Sequence, residues 1–555
     1  MFKSNFIIEN KKYFFWPFLS SLLFFSFAYY IIFFGHLHED VYIILNYVKN
    51  FISGNGITYY EDGPRTEGTT DALWFYLISI LSFFGIKIGV SIAILNSLGA
   101  FIISFLCLKV SSEYLSQKKL YIIGIGSLLI TISSPLSAVS IGGFSTLLYS
   151  SLIAIMFYMQ WKGSYKNFLF IPWLGLIITI FRPDGIFIGI TSTFCTLIYI
   201  YSNNEIKNYL IRNYFKQCSI TFILGILYFI YRFSYFDNFF PLPFYVKTGT
   251  NLLFSGFNDT LNWFFLLIPF LPLLLFIPII NKDRNRFLLS ILSPISIIIA
   301  FVFILPLQNY GYRFQNSTFG IIIILYFYFF SYLIGFCINN NIKKNLIIFF
   351  SFIIFFISSL HISRWTLEWE LKFLTNNEII NYFPFHLRNY TNENTTIALT
   401  EAGKMAYWTN GKKLDLVGLN NSLIAKKGLN YSSIENFDPQ IIFLHTLNTT
   451  HTDSCIEKDF IKISKKELIE SRKNSSINWR EESLPVMRAP GAAIEYIIQK
   501  RNYEIYLFCF LGSFSHLFAF NEKSNLSNEL ISNILKDIRK RNNNLSYLSM
   551  ANLID

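Results

Sequence analysis

Long apolar runs separated by short polar stretches make up the first two thirds of the chain. A membrane-spanning helix needs about 20 apolar residues, and about eleven runs meet that requirement. They cover residues 13–35, 88–108, 120–141, 144–160, 167–182, 184–201, 217–234, 262–280, 287–306, 317–337 and 344–362. The run at 71–85 is shorter, which is typical of an interfacial or re-entrant helix. The pattern predicts a polytopic α-helical membrane domain over residues 1–363.

The hydrophobic pattern changes after residue 363. Short segments such as TTIALT, KLDLVGL and QIIFLHTL predict strands, and SNELISNILKDIRKR predicts a helix near the end. About 190 residues is a usual size for one domain. We therefore expect a soluble α/β domain over residues 364–555, appended to the membrane domain.

Composition supports this division. The chain has 555 residues, of which 53% are hydrophobic and only 14% charged, so a wholly water-soluble protein is excluded. The net charge of +12 comes from basic residues in short loops, so we expect the lipid bilayer as a partner and no nucleic acid.

The six cysteines lack metal-ligand spacing. Cys455 and Cys509 share the polar region, and whether they form a disulfide stays open.

The basic loops alternate between two sides if the 71–85 segment does not span. One side then carries sixteen Lys and Arg residues, and the other carries Lys49, Arg65, Lys87, Arg182, Lys247 and Arg313. The positive-inside rule places the N-terminus in the cytoplasm. The first polar loop (36–87, with the 71–85 segment) and the C-terminal domain then lie outside the cytoplasmic membrane. The first apolar run is too long for a signal-peptide core, so we expect an uncleaved anchor.

The first polar loop carries the densest group of ionisable residues. His38, Glu39 and Asp40 follow the first apolar run directly. A partly desolvated carboxylate at the membrane surface can take a proton from a hydroxyl group, so Asp40 is the leading candidate for a general base. The alternative is structural, since acidic residues at a helix N-terminus stabilise the helix electrostatically. The two roles are compatible.

Three of the outer basic residues lie in unusual local sequence. Arg182 stands in FRPDG, two residues before Asp184, while Lys247 follows PLPFYV and Arg313 stands in NYGYRF. Cations at a membrane boundary often only snorkel to the surface. Three such cations on one side, together with an acidic loop, favour a phosphate-binding site instead.

Several motifs together resemble a known family. They are EDVYI at 39–43, GNG at 54–56, EGTTDALW at 67–74, RPDG at 182–185, PLPFYVK at 241–247, YGYRF at 310–314, EAG at 401–403 and DLVGLN at 415–420. In this order they resemble the GT-C glycosyltransferases of bacteria that use polyprenyl-phosphate sugars. Within that superfamily the pattern is most similar to the terminal arabinofuranosyltransferase, or AftB-like, family. The last hundred residues or so (about one fifth of the chain) carry no motif of the family.

The resemblance implies an inverting sugar transfer from a polyprenyl-phosphate donor to a glycan acceptor of the cell envelope, a lipopolysaccharide or a glycoprotein. A pentofuranose is one candidate sugar. Asp40 or Glu39 would be the catalytic base, and Arg182, Lys247 and Arg313 would bind the donor phosphate. The implied substrate-binding residues are His38, Glu67, Trp74, Asp184 and Tyr245. Whether Glu39 and Asp40 also hold a divalent metal, Mg or Mn, stays open.

The chain departs from the family pattern at three places. Glu39 replaces an aspartate, Asn46 stands where the family has arginine, and Gly143-Phe-Ser-Thr146 lacks a glutamate. These departures point to a different donor or acceptor. Two other classes remain as alternatives, a transporter or flippase of lipid-linked glycans and a non-catalytic assembly factor. A transporter is expected to carry ionisable residues at mid-membrane and internal repeats, which the sequence does not show.

Overall fold

The structure is a computed structural model. It describes residues 11–116, 119–247, 256–267, 277–278, 281, 283–303, 309–339, 368, 370–375, 378–445, 459–473, 485–500, 502–510 and 513–542. The helices of the first part are α1 Lys11–Phe34, α2 Glu39–Ile52, α3 Ala72–Phe83, α4 Ile88–Ser111, α5 Leu120–Ser133, α6 Pro135–Ile141, α7 Thr146–Trp161, α8 Ile171–Phe181, α9 Gly185–Ser202, α10 Asn204–Phe236, α11 Leu242–Lys247, α12 Phe257–Leu266, α13 Arg284–Phe303 and α14 Phe319–Asn339. Short 3-10 helices lie at Tyr165–Phe170, Tyr310–Tyr312 and Gln315–Thr318.

Six helices among these residues are long and apolar enough to cross a membrane, and they include α1, α4, α9 and α13. The helices α5 and α6 form a seventh candidate, a span bent by 51°. The predicted runs at 144–160 and 167–182 form shorter helices, with 16 residues in α7 and 11 in α8. The predicted span at 344–362 and most of the one at 262–280 lie outside the described residues. The prediction of a polytopic helical membrane protein is confirmed.

The first polar loop folds as two short helices. Helix α2 begins at Glu39 and ends near Gly54, whose positive φ of 87° stops the helix. Helix α3 has only 12 residues, which agrees with the expectation of a segment too short to span.

Small residues allow close helix packing in the bundle. Gly175 of α8 faces Gly189 of α9, and a Cβ atom added to Gly189 would lie 2.9 Å from the carbonyl oxygen of Gly175. Helices meet at such short distances only where side chains are absent. The pair therefore fixes the position of the Arg182–Asp184 turn between the two helices.

The C-terminal part forms a six-stranded mixed sheet. Its strands are β1 Thr396–Leu399, β2 Lys412–Asp415, β3 Ile441–His445, β4 Phe460–Ile463, β5 Tyr503–Phe510 and β6 Ser513–Asn521. Their order is β2-β1-β3-β6-β5-β4. β1 is parallel to both β2 and β3, and β6 is antiparallel to β3 and β5. The predicted segments TTIALT and QIIFLHTL contain β1 and β3, and KLDLVGL overlaps β2, which begins one residue earlier at Lys412.

Helices complete the C-terminal part. They are α15 Ile379–Leu387, α16 Lys404–Trp408, α17 Ser422–Lys427, α18 Tyr431–Phe437, α19 Lys465–Lys473, α20 Pro485–Gln499 and α21 Asn528–Asn542, with a 3-10 turn at Arg388–Tyr390. Strands β1 and β3 are apolar and almost fully buried, as strands covered on both faces are. Cys509 of β5 is disulfide-bonded, while Cys455 lies outside the described residues.

Candidate active site

Asp40 lies where three distant segments of the chain meet. It stands in the first turn of α2, where its Oδ2 atom accepts a hydrogen bond from Nη2 of Arg313 at 3.1 Å. The Nζ atom of Lys247, the last residue of α11, lies 3.7 Å from the same oxygen. The structure therefore brings together the predicted base and two of the three predicted phosphate ligands.

The electrostatics of this cluster depend on its partial burial. Burial by itself would raise the pKa of Asp40, but the charges of Lys247 and Arg313 outweigh it and hold the pKa well below its usual range. The Asp40 side chain keeps 34% of its surface exposed, against 12% for Arg313. The site thus presents an ionised carboxylate with two cations that could accept an anionic ligand.

Arg182 is held beside this cluster by its own carboxylate. Its Nε and Nη2 atoms donate to both oxygens of Asp184, at 3.1 and 3.0 Å. Its guanidinium lies 5.0 Å from the ring centroid of Phe314, and the guanidinium of Arg313 lies 5.2 Å from the same ring. The two arginines therefore flank one phenylalanine, while only Arg313 contacts Asp40.

Glu39 points in another direction from Asp40. Its Oε1 atom accepts hydrogen bonds from the backbone N–H groups of Gly403 and Lys404, at 2.7 and 2.8 Å. Burial, reinforced by the charge of Glu401, raises the pKa of Glu39 to about 7. The carboxylate caps the start of α16 and so joins the first polar loop to the C-terminal domain.

The side chain of His38 is buried beside the Asp40 cluster. Its Nε2 atom lies 2.5 Å from Oε2 of Glu370, and both side chains are buried. The ring also packs on Phe144, which in turn lies 4.4 Å below the guanidinium of Arg313. His38 therefore supports Arg313 through Phe144, which precedes Ser145, the residue that stands where the motif has its glutamate.

The other predicted substrate residues are distributed around this centre. Glu67 is buried against Arg232, whose Nε atom donates to Oε1 at 2.8 Å. Trp74 is fully buried and packs near Phe181. The hydroxyl of Tyr245 accepts a hydrogen bond from the backbone of Phe240 at 3.2 Å. None of these three residues contacts Asp40 in the contacts that the structure describes.

Sequence reasoning missed several contributors. Arg232 lies inside the predicted span 217–234, and a lone arginine in an apolar run was a usable signal. Asn46, which replaces the family's arginine, is buried and donates to the backbone oxygen of Tyr59 at 2.5 Å. The Asn46 side chain therefore links helix α2 to residue 59 within the first polar loop. The partner of His38, Glu370, gave no local signal because it is 332 positions away in the chain.

The donor set around Asp40 does not favour Mg or Mn. These ions prefer several oxygen ligands at one point. Here two cations contact Asp40, and the Oε1 atom of Glu39 is directed to backbone amides. The two carboxylates are thus not arranged as a joint ligand set for such an ion.

Comparison with solved structures identifies the fold. The chain is similar to ArnT from Cupriavidus metallidurans bound to undecaprenyl phosphate, with a TM-score of 0.52 and 9% identity over 80% of this chain and 96% of ArnT. For apo ArnT the TM-score is 0.50, with 8% identity over 80% of this chain and 95% of ArnT. The fold is of the GT-C type.

Sequence comparisons add little to the GT-C assignment. A family model described as a domain of unknown function (DUF8728) matches residues 376–506, which lie in the C-terminal part. No curated protein matches the chain. The assignment of a GT-C fold therefore rests on the comparison with solved structures.

Proposed function

We propose that the protein is an inverting glycosyltransferase that takes a sugar from a polyprenyl-phosphate donor. The observation that carries this proposal is the cluster of Asp40, Arg313 and Lys247 in a GT-C fold. ArnT, which has that fold, binds undecaprenyl phosphate. A lipid-linked phosphate is an anion at the membrane surface, and two adjacent cations suit it.

The cluster of Asp40, Arg313 and Lys247 suits both donor binding and proton transfer. A donor phosphate that contacts Arg313 and Lys247 partly neutralises the two positive charges that act on Asp40. The pKa of Asp40 therefore rises, and the carboxylate becomes a stronger base. The acceptor hydroxyl oxygen then bonds to the anomeric carbon as the bond from that carbon to the phosphate oxygen breaks. The hydroxyl proton passes to Asp40, and the lipid phosphate leaves with one more negative charge, which the two cations stabilise.

The finer assignment follows from the motifs. The similarity to the AftB-like family favours a pentofuranose, and an exported domain beside the site favours a glycan, lipopolysaccharide or glycoprotein acceptor. Asn46 replaces the family's arginine and residues 143–146 lack its glutamate, and these departures favour a sugar or acceptor different from that of the family's typical members.

The proposal can be tested in a bacterium that carries the gene. Deletion should remove one sugar from a surface glycan, and the wild-type gene should restore it. Asp40→Asn should fail to restore the sugar although the protein is present in the membrane. Glu113→Gln is a matched control, because Glu113 pairs with Lys162 in the bundle, away from the site. Complementation by Asp40→Asn would exclude Asp40 as the base, and lipid-linked intermediates retained on the inner leaflet would favour a flippase.

A further inference from the structure

A second cluster of ionisable side chains lies at one end of the C-terminal sheet. Glu401 follows β1, His445 is the last residue of β3, and His516 belongs to β6. His445 and His516 are register partners across the antiparallel β3–β6 pair. Because β1 and β3 are parallel neighbours, their carboxyl ends meet at the same edge of the sheet. Three residues separated by up to 115 positions (401 to 516) thus converge.

The donor atoms of these residues face a common point. Nδ1 of His445 lies 3.3 Å from Oε1 of Glu401, and Nε2 of His516 lies 3.9 Å from the same oxygen. The two imidazole nitrogens are 3.4 Å apart. Nitrogen and oxygen hydrogen bonds cluster at about 2.7–3.2 Å, so these three separations are wider than a hydrogen-bonded network needs. Ligands about 2.0–2.1 Å from a tetrahedral Zn²⁺ lie roughly 3.3 Å from one another.

The side chains are fixed by the strands that carry them. The backbone N–H of His445 donates to Oγ1 of Thr400 at 2.7 Å. The ring of His516 stacks on Phe443, with 5.6 Å between the ring centroids. Sheet pairing and stacking therefore place both imidazoles without a rearrangement on binding.

The accessibility of the cluster also suits a cation. The Glu401 and His445 side chains keep 24% and 32% of their surface exposed, so one side of the cluster is open to solvent. Among the described ion pairs, the partners of Glu401 are the two histidines. Lys404 is the nearest described cation in sequence; its Nζ atom donates to Oδ1 of Asn381 at 2.7 Å, and its charge also acts on Glu401 and His516.

We propose that Glu401, His445 and His516 form a binding site for Zn²⁺ that shares no ligand residue with the Asp40 cluster. Two imidazoles and one carboxylate suit zinc better than Mg²⁺ or Ca²⁺, which prefer oxygen ligands. The exposed side leaves a fourth position for water or a substrate oxygen. Since Gly403 and Lys404 hold Glu39, zinc at Glu401 would also fix this loop against the first turn of α2.

The test uses the full chain, purified in detergent without a polyhistidine tag. After chelation and dialysis, Zn²⁺ is added and bound metal is measured by mass spectrometry. We expect one Zn²⁺ per wild-type chain, and at least a tenfold loss of affinity in Glu401→Gln, His445→Asn and His516→Asn. His386→Asn is the matched control, since His386 lies in α15 of the same domain and outside the cluster. Equal zinc binding by control and cluster variants would show an adventitious ion only and overturn the proposal.

Two further readouts do not depend on the variants folding normally. Co²⁺ added to the metal-free wild-type chain should give the visible absorption of a tetrahedral site, and Zn²⁺ should remove it. Zn²⁺ should also raise the Tm of the wild-type chain, because a ligand that binds only the folded state stabilises it. Absence of both effects would overturn the proposal whatever happens to the variants. Sugar transfer is not a readout here, so failure would leave the proposed glycosyltransferase function untouched.

Discussion

At the residue scale, the decisive feature is that one carboxylate contacts two cations. Asp40 pairs with Arg313 and Lys247 instead of facing solvent alone. A carboxylate in that setting is ionised but weakly basic until something else engages the cations. In the proposed mechanism this pairing couples base strength to donor binding, because a donor phosphate would compete with Asp40 for Arg313 and Lys247.

Asp40→Asn should separate chemistry from donor binding. The amide cannot take a proton, so sugar transfer should fall by roughly 10²–10⁴-fold. Undecaprenyl phosphate should bind as tightly as before or more tightly, because the competing charge is gone. Turnover and lipid-phosphate binding would be measured on the same preparation, with Glu113→Gln as control. If binding fell in parallel with turnover, Asp40 would be a positioning residue and not the base.

Arg313→Gln should weaken donor binding and change the pH profile. Loss of a charge-assisted hydrogen bond of about 1.5–3 kcal/mol predicts roughly 10–100-fold weaker binding of the lipid phosphate. The same change removes a cation that lowers the pKa of Asp40, so that pKa should rise. The acidic limb of kcat/KM should then move to higher pH. Lys162→Gln is the control, and an unchanged acidic limb would argue against Asp40 as the titrating group.

At the scale of elements, the site depends on how α2 meets the C-terminal domain. Glu39 caps the backbone at Gly403 and Lys404, and the hydroxyl of Tyr59 donates to the oxygen of Ala402 at 2.6 Å. Tyr407 and Trp408 are buried in the same contact, next to Tyr42 of α2. The two aromatic residues therefore fill this contact.

Gly403→Ala should loosen this contact. A Cβ atom at residue 403 would lie 2.0 Å from the backbone oxygen of Glu39, so the two elements must separate. Overpacking of this kind typically costs about 1–3 kcal/mol. We expect a lower Tm and faster proteolysis between the membrane and C-terminal parts. Gly225→Ala is the control, because its Cβ atom would meet only Leu176 at 3.5 Å. If Gly403→Ala were as stable as wild type, the close contact between α2 and the C-terminal domain would be contradicted.

At the scale of the whole molecule, charged groups collect at both ends of the helix bundle. Helix α9 begins beside Arg182 and Asp184, and 18 residues later, about 27 Å along its axis, it ends near Asp283. Lys162 and Arg286 are among the sixteen basic residues that the positive-inside rule assigns to the cytoplasmic side. They lie towards that far end, since Arg286 donates to the oxygen of Gly163 at 2.5 Å. The two predicted charge sets are thus separated by about the thickness of a membrane.

The orientation of the bundle is open to a labelling test. The positive-inside rule predicts that the C-terminal domain faces the outside. In intact cells, Leu423→Cys, an exposed position in α17, should react with a membrane-impermeant maleimide above the background of the unsubstituted chain. Ser164→Cys, exposed beside Lys162, should react only after permeabilisation. The reverse pattern would place the active site in the cytoplasm.

The sequence by itself determined the large-scale pattern. Apolar runs of sufficient length must become helices in a bilayer, because backbone polar groups find no partners there except within a helix. The short segments near residues 396, 413 and 441 likewise determined three strands of the C-terminal sheet. The clustering of Asp40 with Lys247 and Arg313 was predicted too, since all three residues lie at helix ends assigned to one side.

Tertiary structure alone decided which partner each charge contacts. Arg182 pairs with Asp184 and not with Asp40, Glu67 meets Arg232, and Glu39 turns to the backbone of the C-terminal domain. These pairings depend on how each helix is rotated about its axis and on strand register. A register shift of one residue moves a side chain to the opposite face of the sheet. The same register brings His445 and His516 together beside Glu401, a group that residue spacing along the chain could not reveal.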